Sequence, residues 1–222
     1  MTLIQEMILH LIPLNPHIKA EIIEEDARRN IKYIQSDDLV RTMWTNAHPS
    51  PLHSGLLPSN CIALTAKKEQ WTATLVSDFD YCTVSYHNTK YEHFPVPRIL
   101  LTCQMGDKGK LSVSRLAIAE QGILKPDTRL FICPFPNVND FSLCTGSNLF
   151  TGYDSLWKLR TLVHRVMALP FGDDYYDSKH TRLRLSAREL FDHLKDKTPD
   201  YYYGHVLLPS DKTLSDFLGG AA

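Results

Sequence analysis

The sequence predicts an α+β fold, and three observations carry that expectation. Between residues 61 and 134, short segments with strand patterning alternate with turn chemistry and show no helical period. An irregular loop rich in proline and asparagine follows, over 134–148. Residues 153–169 then switch to a helical period. Short strands without intervening helices imply an antiparallel meander, so the expected order is meander, loop, packed helices. The simplest partition is one domain over 1–222. Its core spans about 50–200, with an extension over 1–45 packed on it and a tail over 209–222.

Composition narrows the function classes. The chain has 222 residues with 43% hydrophobic and 22% charged content, the profile of an ordinary globular protein. A formal net charge of −1 gives no electrostatic case for nucleic acid or an acidic membrane. Five cysteines, with no CxxC pair, argue against a disulfide framework and a zinc ribbon. The run Met1–His10 contains Glu6 and a histidine and lacks a basic start, so it does not read as a signal peptide. No apolar stretch approaches the ~20 residues of a membrane-spanning helix. These features point to a reducing, cytoplasmic compartment.

Along the chain, residues 3–14 form a strand or short helix that ends at Pro13 and Pro16. The β-branched runs 19–25 and 30–35 flank a charged turn and suggest a hairpin, although 17–31 also admits a helix. Residues 36–44 carry a cap signal and an apolar face at Leu39, Val40 and Met43, which predicts a short helix. The segment 46–60, with Pro49, Pro51, Pro58 and Gly55, is a loop. Its His48 and His53 could form a metal or proton-transfer pair, but an ordered surface loop is the favoured reading.

Strands follow at 61–65, 71–76, 81–86, 98–103 and 110–115, the last continuing through Leu116–Ala119. Trp71, Ala73 and Leu75 alternate with threonines, the period of a half-buried strand. Cys61, Cys82, Cys103 and Cys133 lie within or beside such runs and read as small buried hydrophobes. In the helical segment Leu156, Leu159, Leu162, Val163 and Val166 share a face, with Asp154 or Ser155 as cap and Pro170 and Gly172 as stop. His164 lies beside that face. Ser186 and Glu189 make a capping box ahead of Leu190, Phe191 and Leu194. Tyr201–Tyr203 and Val206–Leu208 form a last strand or an aromatic cover. The end of the chain from Leu218 is expected to fray, and Gly219-Gly220 reads as part of that tail.

The loop holds the chemistry. Leu130–Cys133 reads as a buried strand that Pro134 and Pro136 force out of the sheet. Asn137, Asn139 and Asp140 favour irregular turns, and Cys144 follows among Thr145, Gly146, Ser147 and Asn148. A thiol in a polar loop just beyond a core strand is where reactive cysteines occur, whereas structural ones lie in apolar runs.

Residues 135–144, Phe-Pro-Asn-Val-Asn-Asp-Phe-Ser-Leu-Cys, resemble the active-site signature of ubiquitin-conjugating (UBC) enzymes. There a His-Pro-Asn tripeptide precedes the thioester cysteine by a short turn. Pro136, Asn137, Val138, Leu143 and Cys144 match; Phe135 replaces the histidine, and the turn is about one residue shorter. The loop, the segment Pro51–Pro58 and Trp157 together look like prokaryotic family D of that superfamily, the PRTRC system protein B group. The likeness covers roughly residues 50–180. It implies a UBC-like fold and a ubiquitin-like modifier carried as a thioester on Cys144 and passed to an acceptor. Implied partners are a ThiF-type activating enzyme, the modifier and a JAB-type peptidase, with no cofactor or metal.

A thioester carrier needs cysteine because a thiolate both attacks and leaves well. An ordinary free thiol is only a few per cent ionised at neutral pH, so modest local help matters. Asn137 has two competing roles: its amide could stabilise the tetrahedral oxyanion by ~3 kcal/mol, or it could bond the loop backbone and hold Cys144. Phe135 cannot supply the imidazole's hydrogen bonds, so the loop needs another brace, for which Asp140 or Ser142 is the candidate. One alternative is a catalytically inactive UBC-fold scaffold that binds the modifier or a partner. Another is a cysteine hydrolase, for which no sequence feature places a histidine beside the thiol.

Overall fold

The computed structural model describes residues 4–11, 15–24, 28–47, 53–67, 70–77, 80–106 and 110–219. Where one domain with an extension is expected, the chain divides into two compact units, Met1–His53 and Ser54–Ala222. In the first, β1 (Ile4–His10), β2 (His17–Glu24) and β3 (Arg29–Gln35) form an antiparallel sheet in the order β1-β2-β3. The expected hairpin is therefore present, and the ambiguous first segment is a strand. α1 (Ser36–Ala47) follows directly, its Ser36 N–H donating to the Pro16 carbonyl at 2.8 Å. Its expected apolar face is not buried: Leu39 is half-buried, but Val40 and Met43 are more than 60% exposed.

The second unit is an α+β fold of mostly antiparallel strands. β4 (Cys61–Lys67), β5 (Gln70–Val76), β8 (Ile99–Met105) and β9 (Leu111–Ala119) lie side by side, each pair antiparallel. The meander is not continuous in sequence, which corrects the expectation. The hairpin of β6 (Tyr81–Tyr86) and β7 (Thr89–Pro95) leaves after β5 and builds a separate three-stranded sheet with β13 (Pro170–Phe171). β7 escapes a pattern reading because its register shifts opposite Cys82 and Val84, with His93 at φ 51°. That bulge places Tyr91 and Phe94 on the buried side three residues apart, which breaks the period of two.

The main sheet has two buried faces. One carries Leu75, Ile99, Leu101, Leu116 and Ile118 against the β6–β7 hairpin and the helices. The helical segment opens as a 3₁₀ turn (Leu156–Thr161) and becomes α2 (Leu162–Met167). Leu156, Leu159 and Leu162 are spaced by three, so a three-residue turn stacks them on one buried ridge. The Ser155 side chain makes no cap bond, contrary to expectation; Asp154 instead pairs with Lys158 at 2.8 Å. α3 (Ala187–Leu194) begins with the expected capping box, in which Ser186 N–H donates to the Glu189 carboxylate at 3.0 Å. Tyr202–Val206 forms a π turn, neither strand nor plain cover, whose fully buried Tyr202 hydroxyl donates to the Pro95 carbonyl at 3.1 Å.

The opposite face corrects the tail expectation for residues 209–219, which form a strand and a helix. β14 (Pro209–Thr213) pairs with β10 (Arg129–Phe131), and α4 (Leu214–Gly219) lays Leu214 and Phe217 on Val76, Leu100, Ala117 and Leu130. Without α4 those four residues would be wet, at roughly 25 cal/mol for each Å². Gly219 closes α4, and Gly220 lies outside the described residues. Among the described residues no helix is long and apolar enough to cross a membrane.

Phe217→Ala is therefore expected to destabilise the second unit by about 3–5 kcal/mol in denaturant unfolding. Burial pushes the thiols of Cys82, Cys103 and Cys133 up to about 12. An unfolded thiol ionises near 8.5, so above that pH the unfolded chain sheds protons that the folded one keeps. Stability falls as pH rises from about 9 to 12, by roughly 1 kcal/mol per pH unit for each thiol. The mid-denaturation concentration measured across that range checks it.

Candidate functional site

The site loop leaves β10 through Cys133 and Pro134 and is pinned by Phe135. That side chain is 2% exposed and stacks on Phe171 with centroids 5.9 Å apart, and it also meets Phe191 and Tyr202. The aromatic that cannot replace an imidazole's hydrogen bonds thus serves as a core anchor. Pro136 is buried behind it. Asn137 then turns the chain with φ 65°, a left-handed backbone that asparagine tolerates better than most residues. A minimal hairpin follows, β11 (Val138–Asn139) and β12 (Ser142–Leu143), with Asp140 and Phe141 both left-handed at its tip.

Expectation assigned the brace to Asp140 or Ser142, and the structure places it elsewhere. Both side chains are exposed, and among the described residues neither makes a side-chain hydrogen bond. Ser142 contributes through its backbone, paired opposite Arg115 of β9. Asp140 acts through charge: burial lowers the pKa of the Arg115 guanidinium, and the carboxylate offsets part of that. The tip itself is held by Phe141, whose carbonyl accepts from Leu116 N–H at 2.9 Å and whose ring meets Phe217 edge-on. Arg115 lies over the Phe217 ring at 4.7 Å and donates to the Phe217 carbonyl at 2.5 Å.

Cys144 emerges where this hairpin ends. Its N–H donates to the Asn137 carbonyl at 2.8 Å, and its side chain is exposed, alone among the five free cysteines. Cys82, Cys103 and Cys133 are buried, and burial also raises the half-buried Cys61 thiol. Asn137 N–H donates to the Asp174 carbonyl at 2.7 Å, and its Oδ1 accepts from Gly172 N–H at 3.4 Å. The asparagine therefore holds the loop with its backbone and one side-chain atom. Its Nδ2 makes no hydrogen bond among the described residues, which keeps the donor role open.

Cys144 and Asn137 share a cavity of about 370 Å³ with Thr145, Gly146, Asn148, Pro170, Asp174 and, unexpectedly, His87. His87 sits in the turn between β6 and β7 with φ 47°, its N–H donating to the Phe171 carbonyl at 2.8 Å. Its Nε2 lies 3.0 Å from Asp173 Oδ2, and the other carboxylate oxygen accepts the Tyr86 hydroxyl at 2.5 Å. Those two hydrogen bonds, Tyr86 first, lower the Asp173 pKa. Desolvation and then the carboxylate push Tyr86 up to about 12, so it donates throughout the physiological range.

His164 is exposed on α2 and does not line this cavity. His53 is exposed in its loop, and His48 lies outside the described residues, so the suggested pair has no described geometry. Sequence reasoning missed His87, Asp173 and Asp174. The parallel pairing of β13 with β6 brings His87 and Asp174 to the cavity that Cys144 lines and sets Asp173 against His87, and no local pattern announces a contact between segments some 85 residues apart. Comparison with family models, curated proteins and solved structures finds no match.

Titration of the native protein with a coloured disulfide reagent at pH 8 is expected to give one fast thiol per chain. A slower one follows from Cys61, and the other three react only in denaturant. Cys144→Ser should remove the fast phase alone.

Proposed function

We propose that the second unit is a UBC-like domain that carries a ubiquitin-like modifier as a thioester on Cys144 and transfers it to an acceptor. The observation that carries this reading is the exposed Cys144 thiol sharing one cavity with the Asn137 amide, at the end of a short hairpin. The order of antiparallel strands, Pro-Asn loop, cysteine and helix supports it as well. Attack on a thioester places negative charge on the former carbonyl oxygen, and a preorganised amide donor there lowers the barrier by ~3 kcal/mol. Partners on this reading are a ThiF-type activating enzyme, the modifier and a JAB-type peptidase, in a reducing cytoplasmic compartment that suits five free cysteines. The inactive-scaffold reading is favoured by one observation: Phe135, in the place of the family's histidine, is buried in the core and offers no hydrogen bond to the site. A cysteine hydrolase is favoured by one: His87, set on Asp173, lines the same cavity as Cys144.

Incubation with the activating enzyme, modifier and ATP is expected to give an adduct on the chain that reductant cleaves and that Cys144→Ala lacks. No adduct while the activating enzyme charges itself would refute the carrier reading. Asn137→Gly keeps the left-handed backbone and deletes the amide. It should form the adduct normally and discharge it about 100-fold more slowly, measured by single-turnover chase.

A further inference from the structure

Resting on the carrier reading, we propose that His87, oriented by Asp173, takes the proton from the nucleophile that attacks the Cys144 thioester. Four observations support the assignment. His87 and Cys144 line the same cavity without a hydrogen bond between them, which leaves room for an incoming group. The Asp173 carboxylate can only accept, so the imidazole Nε2 must carry the hydrogen that faces it. That fixes the neutral tautomer with Nδ1 unprotonated, the form a general base needs. Finally, Asp173 is held by Tyr86 and the His87 backbone by Phe171, so the ring is positioned before any substrate arrives.

The charges around the ring favour an amine. Asp174 lines the cavity and Asp173 sits against the imidazole Nε2; Tyr86 meets the imidazole edge-on at 4.6 Å; Arg188 of α3 lies over the far Tyr86 ring at 4.5 Å. The carboxylates attract a primary ammonium and disfavour an incoming thiolate. In the transfer step the amine nitrogen, once neutral, bonds to the thioester carbonyl carbon. Its surplus proton passes to Nδ1 of His87, and the C–S bond breaks with its electron pair leaving on Cys144 Sγ. The product is an amide, and the imidazolium returns its proton to the thiolate or to water. Asp173 is a positioning residue and takes no proton.

The test needs no natural modifier. Cys144 is acylated in the full chain by exchange with a small water-soluble thioester of acetyl-Gly-Gly, with Cys144→Ser as background. Discharge to free L-lysine is then followed by intact mass between pH 6 and 9. His87→Asn is the main variant, because asparagine accepts the left-handed backbone that His87 adopts. It should acylate at the wild-type rate, discharge about 100-fold more slowly and lose the acid limb of the pH profile. Added imidazole should restore much of the rate, a response that a structural role would not give. Asp173→Asn should slow discharge about tenfold and keep that limb. Equal rates and equal profiles in wild type and His87→Asn would overturn the proposal. So would slowed acylation with discharge unchanged, which would assign His87 to the thiol as in a hydrolase. Absence of enzymatic charging in the earlier assay would refute the carrier reading while leaving this chemical measurement intact.

Discussion

Three residues of the site loop, Asn137, Asp140 and Phe141, hold backbone conformations that L side chains rarely adopt. Each departure costs about 1–2 kcal/mol, and a phenylalanine is among the least suited to it. The conformation persists because Phe135, Val138, Phe141 and Leu143 are all buried, each contributing about 1.5–3 kcal/mol. Burial of these four side chains offsets the strain. The loop is therefore packed from both ends, and Cys144 is exposed beside it.

The remainder of the site is assembled around Asn137. Its N–H reaches Asp174, its carbonyl takes the Cys144 N–H, and its Oδ1 takes Gly172 N–H. One residue thus ties the thiol to the segment that carries Asp173, and that segment is tied to His87 through Phe171. Most of these links run through backbone atoms, so the placement of the loop depends little on side-chain bonds, whereas the His87 ring is set by its side-chain contact with Asp173. Electrostatics adds direction: the exposed Asp174 lines the cavity, whereas the Arg115 cation is spent on clamping α4.

How much of this was legible in the sequence depends on how local the cause is. The strands at 61–65, 71–76, 81–86, 98–103 and 110–119, the capping box at Ser186 and the apolar ridge of 156–166 follow from period and cap chemistry, and each is found close to where the pattern puts it. The exposed thiol was legible because its neighbours are polar and its strand ends in prolines. The excursion of β6 and β7 was not, since a bulge at His93 erased the alternation of β7. Nor was α4: six residues with two buried positions are too short for a helical period, and their partners lie on strands laid down a hundred residues earlier. The His87–Asp173 contact rests on the same kind of distant pairing.

α4 also bears on how the site comes into being. The hairpin tip that supports Cys144 is capped by Phe217, and β10, where the loop starts, is flanked by β14. A chain synthesised from its N-terminus will have Cys144 outside the ribosome long before residues 209–217 emerge. Until they do, the loop lacks the packing that offsets its strained backbone. The nascent thiol therefore sits on an unsettled support, and the site reaches its working geometry only as the last strand and helix dock.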